Sequence, residues 1–505
     1  MAWFSWSTCE SGRKMMKTFA GRRFVAALRL TSLLVWTGAE AVFAGNPLRV
    51  GHTTLTPRHS GPDDKGMYAA VIDPASGYAY FFGNYLFKLD VTGSLPVSVG
   101  TNIFTGQFTE GAIDPAAGYA YMPKAGTSQG TIYRFALGSG TNSVSAAGTT
   151  YLSEVAWPAI SMVVDNADPN PANHYGYVMC SGNGSPAKVV KVQLSTMTEV
   201  SSVMLNTGET NFAWGQIDPK NGYAYFGTYA TSVAPGIPRV VKIKLTAGTN
   251  APIRLGTVAL GATALPMWTS SIDTLHGYAY YATDNGTTNV PETVFKVALG
   301  VGDALPAPVP FGGVQLHTNE VQLISQFNDP VNGFVYFGDD NTYPGRIYQL
   351  AMNGTNPPVE VGYLSLQGGT QAGLGNGVSG SNTTTNSDGI LPYGEVYLRS
   401  CVYDPVRGYA YFGQDSRPNQ VVKFQPAVLD PVFLKSPQRT GSGFQFSFSN
   451  AGGATFTAYG TTNLMLATTN WTAIGSITDN PPGQFQFTDP QALTGGARFY
   501  RVTGP

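Results

Sequence analysis

The stretch VIDPASGYAYFFG, Val71 to Gly83, reads as two short strands joined by a tight turn. Asp73 can accept bonds from the amides that follow it, Pro74 fixes its own φ, and Gly77 supplies the positive φ of a bulged turn. Tyr78-Ala-Tyr-Phe then begins a return strand. The phrase comes back six more times: AIDPAAGYAYMP from Ala112, VVDNADPNPANHYGYVM from Val163, QIDPKNGYAYFG from Gln216, SIDTLHGYAYYA from Ser271, QFNDPVNGFVYFG from Gln326 and VYDPVRGYAYFG from Val402. Self-similarity at a period of about 50 residues marks a chain built of stacked or radially arranged units.

After each hairpin comes a third strand phrase, as in LFKLDV at Leu86, VVKVQL at Val189, VVKIKL at Val240 and VVKFQP at Val421. A fourth follows in PVSVG at Pro96, PIRLGTVAL at Pro252, PVPFGGVQL at Pro308 and PVEVGYLSL at Pro358. Four short strands make one blade, so the chain reads as an all-β, seven-bladed β-propeller over residues 46–427. The seventh unit lacks a fourth strand after VVKFQP, and the N-terminal NPLRVGHTTL from Asn46 has the missing pattern. Pro47 to Leu55 is therefore expected to pair as the outer strand of blade seven and leave no open edge in the ring. These repeats resemble the broad class of secreted bacterial propellers that includes the YVTN and NHL types, without the Asn-His-Leu signature of the latter. The resemblance covers Asn46 to about Pro426 and carries no catalytic motif across.

Charged residues are 12% of the 505-residue chain, with 61 Gly and 34 Pro, a profile that suits an extracellular all-β protein. A net charge of −1 gives no footprint for nucleic acid or an anionic membrane. Lys17, Arg22 and Arg23, the apolar run FVAALRLTSLLVW and the small residues of TGAEAVFAG form the three-part pattern of a secretory signal over residues 1–44. That run is too short to span a bilayer, so no transmembrane segment is expected after its removal, and the expected location is extracellular or the cell surface. Cys180 and Cys401 fall in blades three and seven and are read as buried small side chains. Residues 368–390 insert a polar loop before blade seven. From about Phe433 the pattern changes to FQFSFS, TFTAYG, WTAIGSI, GQFQFTD and ARFYRV. This reads as a small antiparallel β-sandwich over 432–505 and resembles the C-terminal modules appended to secreted proteins of environmental bacteria.

Several side chains recur. The tyrosine pairs, such as Tyr78 and Tyr80, share one strand face and are read as packing between blades, with hydroxyls on loop backbone. A basic residue stands amid apolar neighbours in six third strands, at Lys88, Arg134, Lys191, Lys242, Lys296 and Lys423, with Gln349 in the sixth unit. Pairing with the hairpin Asp, such as Asp218 for Lys242, would compensate its burial. Trp157, Trp214 and Trp268 precede consecutive first strands but differ in spacing from the hairpin Asp, which argues against one stacking platform. His174 and His276 sit in or beside hairpin turns, where exposure is expected, while His59 and His317 fall in loops leading to first strands.

The sharpest candidate is a ring of acids. Asp64, Glu209, Glu320 and Glu395 each stand nine residues before a hairpin Asp, and Glu154 stands eleven before Asp165. Gathered at the channel mouth, they would raise one another's pKa or recruit a cation such as calcium; bonded locally, they would hold loop amides or basic neighbours. Together with His317 they are the candidate ligand residues. No catalytic signature such as HExxH or GxSxG is present. Three functions stay open: a binding protein holding a glycan, peptide or protein on its loop-rich face; a hydrolase or lyase with acids at the channel; and an adhesive surface protein anchored by its C-terminal module.

Overall fold

A computed structural model of the chain describes residues 4–6, 47–56, 66–366 and 395–504, less short interruptions that include 230–236, 262–266, 284–291, 317–321 and 415–418. The signal-like segment apart from residues 4–6, the insertion at 368–390, and Asp64, His59, Trp157, His317 and Glu320 lie outside the described residues.

The hairpins form as their chemistry requires. Gly77, Gly118, Gly222, Gly277, Gly333 and Gly408 adopt φ between 73° and 79°, and the amide of each bonds to the carbonyl of its hairpin Asp, as Gly77 N to Asp73 O at 3.0 Å. The Asp carboxylate accepts the next turn amide, as from Ala75 to Asp73 at 3.1 Å and from Val406 to Asp404 at 3.0 Å.

Seven four-stranded antiparallel sheets result within one unit, Pro47–Pro426. The first runs Ala69–Asp73, Tyr78–Phe82, Tyr85–Asp90 and Val97–Ile103 in chain order. Each first strand lies beside the first strand of the next sheet, and Leu398–Asp404 of the seventh lies beside Ala69–Asp73 of the first, so the ring closes on itself. Leu48–Thr54 supplies the outer strand of the seventh sheet, antiparallel to Gln420–Gln425 with Thr53 opposite Val421. The fold is a β-propeller.

Between the sheets lies a repeated device, and it corrects the expected lysine–aspartate pairing. Lys242 is fully buried. Its ammonium donates to the carbonyls of Leu299 at 3.0 Å, Gly300 at 3.0 Å, Gly302 at 2.7 Å and Ala304 at 2.9 Å, all in the loop after the third strand of the next sheet. Beneath it lie the faces of Tyr223 and Tyr225, at 4.2 and 5.6 Å. Gly300, at φ 73°, makes the cage possible, since a Cβ there would stand 2.5 Å from the Ala304 carbonyl oxygen. Lys88 reaches Leu137, Gly138 and Asn142 in the same way; Lys191 reaches Thr246, Gly248 and Asn250; Lys296 reaches Met352 and Gly354; and Lys423 reaches Gly93 and Ser94 of the first sheet. Arg134 spreads over the Leu194, Ser195 and Ala147 carbonyls. The hairpin Asp is occupied by its own turn. The tyrosines pack between sheets as expected, and Tyr225 and Tyr411 donate to the same loops at Leu299 and Val91.

The sixth junction explains the exception. Its third-strand residue would face a loop in the seventh sheet, but there the chain leaves at Pro426 and the outer strand comes from the N-terminus. No such loop exists, and the position is Gln349. The first tyrosine of the pair is Phe334 as well, and stacked rings fill the junction: Phe327 on Tyr336 at 4.7 Å and on Tyr403 at 5.0 Å.

The second unit contains Ala427–Pro505 and Met1–Asn46. One sheet holds Lys435–Thr440, Gly443–Ser449 and Gln484–Asp489. The other sets Phe456–Thr461 between Thr472–Ile477 and Arg498–Thr503, with Phe4–Trp6 along the outer edge of the last. Aromatic rings join the two sheets, with Phe448 to Phe456 and Phe444 to Tyr500 each at 5.0 Å. The ARFYRV phrase is explained by Asp489, which accepts from the Tyr500 hydroxyl at 3.0 Å and pairs with Arg498 at 2.8 Å.

Replacing Lys242 by Gln should destabilise the propeller by about 3 kcal/mol, because four carbonyls between the sheets lose a charged donor. Gln349→Lys should also destabilise it, by burying a cation with no cage. Urea unfolding of both variants checks this, and a neutral or stabilising Gln349→Lys would contradict the explanation of the exception.

Candidate functional site

The loops that lead into first strands reach the ring at a recurrent irregularity. In five sheets the pairing of the first strand slips, between Ala159 and Ser161, Phe212 and Gly215, Met267 and Thr269, Leu323 and Ser325, and Leu398 and Ser400. A bulge of this kind re-aims the extra side chain. Five residues before the hairpin Asp, that position is Trp268 in the fifth sheet and Arg399 in the seventh; Tyr68 has the same spacing in the first. Trp268 is 44% exposed, an unusual state for a large aromatic side chain in an inner strand. Arg399 pairs with Asp340 at 2.6 Å and lies over the Tyr68 ring at 5.2 Å. Trp214, one position further along, is half-buried.

Deeper, a cavity of about 250 Å³ opens between the first strands of the second to fifth sheets, lined by Glu110, Ile113, Met162, Gln216, Ile217 and Ile272 among others. Ser161 donates to the Glu110 carboxylate at 3.4 Å and itself accepts the Gly215 amide at 2.7 Å. Burial pushes the Glu110 carboxyl well above its ordinary range, outweighing the hydrogen bonds from Ser161 and Gly215.

Two of the acids singled out by spacing, Glu209 and Glu395, are taken up by arginines. Glu209 is buried and paired by both ends of the Arg254 guanidinium, on the outer strand of its own sheet. Glu395 is fully buried and takes Arg49 and His52 of the N-terminal closing strand, His52 at 2.7 Å. The main-chain carbonyls of both acids accept amides at the start of the preceding sheet's third strand, Ala187 and Gly345. They stand over the third and outer strands, so these two do not frame the channel. Glu154 falls within the outer strand Ser145–Val155 of the second sheet, rather than in a loop leading to a first strand. Among the described residues no group of three or more His, Cys, Asp or Glu is placed to hold a metal ion, so those residues offer calcium no ligand set.

One further expectation is corrected. His174 is buried, not exposed: its ring bonds to Asp114 of the preceding hairpin and to the Asp168 carbonyl, both at 2.6 Å. Burial pulls the imidazole down, but Asp114 and Asp168 outweigh it and leave its pKa raised. Trp268 stands at the bulge itself, between Met267 and Thr269, and is exposed. Cys180 is buried and Cys401 half-buried, and neither is in a disulfide.

No family model matches the sequence, and no curated protein is similar to it. Solved structures with a related arrangement include a functionally unknown protein from Desulfotomaculum acetoxidans, at TM-score 0.42 and 10% identity over 69% of this chain and 89% of that one. The propeller of Dos1 aligns at TM-score 0.45 and 10% identity, over 72% and 78%. Sqt1 of Saccharomyces cerevisiae aligns at 0.41 and 10%, over 80% and 96%.

Glu395→Gln should cost about 2 kcal/mol by loosening the closing strand from its charged anchor. Burial raises the Glu395 pKa, but His52 and Arg49 more than offset this and hold it below its ordinary value. Its contribution is therefore present above the unfolded pKa and lost as pH falls through the folded one. The gap in unfolding free energy between wild type and variant should be in place at pH 5 and shrink as the pH falls below about 4.5. A gap that does not change with pH would contradict the assignment.

Proposed function

We propose that this is a secreted or cell-surface binding protein that holds a glycan, peptide or protein partner on its loop-rich propeller face. The carrying observation is the exposed Trp268 at a first-strand bulge, with Tyr68 and the guanidinium of Arg399 at the same spacing around the ring. Trp268 is exposed while Tyr68 and Arg399 are half-buried; side chains held on a rigid strand scaffold lose little freedom on binding, and tryptophan, tyrosine and arginine are the side chains that dominate binding energy. The secretory pattern of residues 1–44 supports the location.

A second reading, an extracellular hydrolase or lyase, draws on Glu110, an enclosed acid whose raised pKa suits proton donation. Among the described lining residues Glu110 is the single carboxylate, whereas the commonest glycoside hydrolysis plan takes two. Binding is therefore the better-supported reading.

The test is to screen the purified propeller against soluble glycans and peptides, then repeat each hit with Trp268→Ala. A loss of at least about tenfold in affinity, roughly 1.4 kcal/mol, with an unchanged melting temperature is expected. Hits that bind Trp268→Ala as tightly as wild type would refute the loop-face assignment.

A further inference from the structure

Among the described acids, Glu110 stands apart from the arginine clamps and the hairpin turns. Glu209 and Glu395 are matched to arginines, and the hairpin aspartates, such as Asp73 and Asp404, are taken up by turn amides. Glu110 instead lines the cavity among the first strands, where the described residues include no Lys, Arg or His. Glu110 is half-buried at that cavity. The influence of its charge reaches Tyr281, whose buried hydroxyl has no hydrogen-bond partner among the described residues. Tyr281 occupies the place held by Phe81, Phe226, Phe337 and Phe412 in other sheets.

The rest of the wall selects the ligand. Ile113, Met162, Ile217 and Ile272 give it an aliphatic surface, and the Gln216 amide nitrogen is already committed to Ser270 at 2.7 Å. A cavity with these aliphatic side chains around a single carboxyl suits an aliphatic ligand that ends in a positive charge. A cation within about 4–6 Å of Glu110 favours the ionised carboxylate that burial disfavours. An anion gives the carboxyl no reason to ionise, and a neutral alcohol can only hydrogen-bond to it, so neither gains the ion pair that an ammonium forms.

We infer that this cavity binds a primary alkylammonium group, with Glu110 as its counter-ion and the Ile113, Met162, Ile217 and Ile272 side chains around its methylenes. The inference deepens the binding function proposed above and rests on it, since Trp268 stands towards the loop face from the cavity and a partner held there would insert the amine. A lysine side chain and an amino sugar share this chemistry.

Thermal unfolding of the full chain is followed at pH 8 with n-butylamine, n-butanol and butyrate. Butylamine should raise the melting temperature of wild type by several degrees, the other two should not, and Glu110→Gln should abolish the response. Calorimetry on wild type in two buffers of different ionisation enthalpy, repeated down a pH series, needs no variant: butylamine favours the ionised carboxylate and should release a proton from Glu110 wherever that group is still protonated. Affinity should accordingly rise with pH, by up to tenfold per unit while Glu110 remains protonated, and fall only as the amine itself deprotonates near pH 10.4. A blocked Gly-Lys-Gly peptide and a glucosamine dimer then distinguish the two sources. An equal response in Glu110→Gln, or no difference between butylamine and butanol on wild type, overturns the inference. If amines fail while a partner still depends on Trp268, the cavity assignment falls and the binding function stands. If amines bind through Glu110 and no partner depends on Trp268, the reverse holds.

Discussion

A buried cation caught between two tyrosine faces and the carbonyls of the neighbouring sheet is the contact on which the propeller depends. Sheets in a ring touch through apolar faces, which attract without fixing rotation or height. A lysine ammonium has three donors and a point charge, so it fixes both. At Lys242 four carbonyls converge, and each must come from the following sheet's loop. The interaction therefore counts around the ring: every sheet but the sixth supplies a cation to the next, and every sheet but the seventh supplies a cage to the one before. Burial, partly offset by the charges of Asp165 and Asp273, lowers Lys191 and Lys296 to about 8, and the carbonyl dipoles and ring faces help to keep a charged side chain tolerable there.

The same logic separates structure from function among the acids. Equal spacing in a repeat protein signals an equal job, and the job of Glu209 and Glu395 is to clamp an arginine of an outer strand to the loop above it. In the seventh sheet that arginine is Arg49, on the closing strand, so one carboxylate helps hold the ring shut. Residues that break the repeat are the better guide to function. Glu110, Tyr281 and Trp268 are each without counterparts in most other sheets, and all three lie at or near the first strands of the second to fifth sheets.

The fold was legible because its turns are written in side chains with one use. Asp-Pro-x-x-Gly specifies a bulged hairpin wherever it occurs, and the shared Pro and Gly of NPLRVGHTTL and PIRLGTVAL identified the closing strand from the far end of the chain. The lysine cages were only half legible. Their regularity was plain, but spacing reveals a nearest neighbour within a sheet, and the partner was backbone in the next sheet, which carries no residue signature. A signal did exist: the one unit without the lysine, Gln349, also loses the first tyrosine, to Phe334, and is the one before the chain departs. The candidate acids misled for the same reason, since strand alternation gives a face and says nothing of distance from the axis. Trp268 was hidden by its bulge, which shifts alternation by one residue and leaves no mark in composition.

The account stands most directly on the state of the five caged lysines. Heteronuclear NMR of lysine Cε and Nζ, followed from pH 6 to pH 11, reads both protonation and exchange of the ammonium protons. Lys88, Lys191, Lys242, Lys296 and Lys423 should show ammonium protons protected from solvent, with midpoints below 10.5, those of Lys191 and Lys296 near 8. Lysines that all exchange rapidly and titrate at the free value would contradict the cages, and with them the account of what holds the sheets in register.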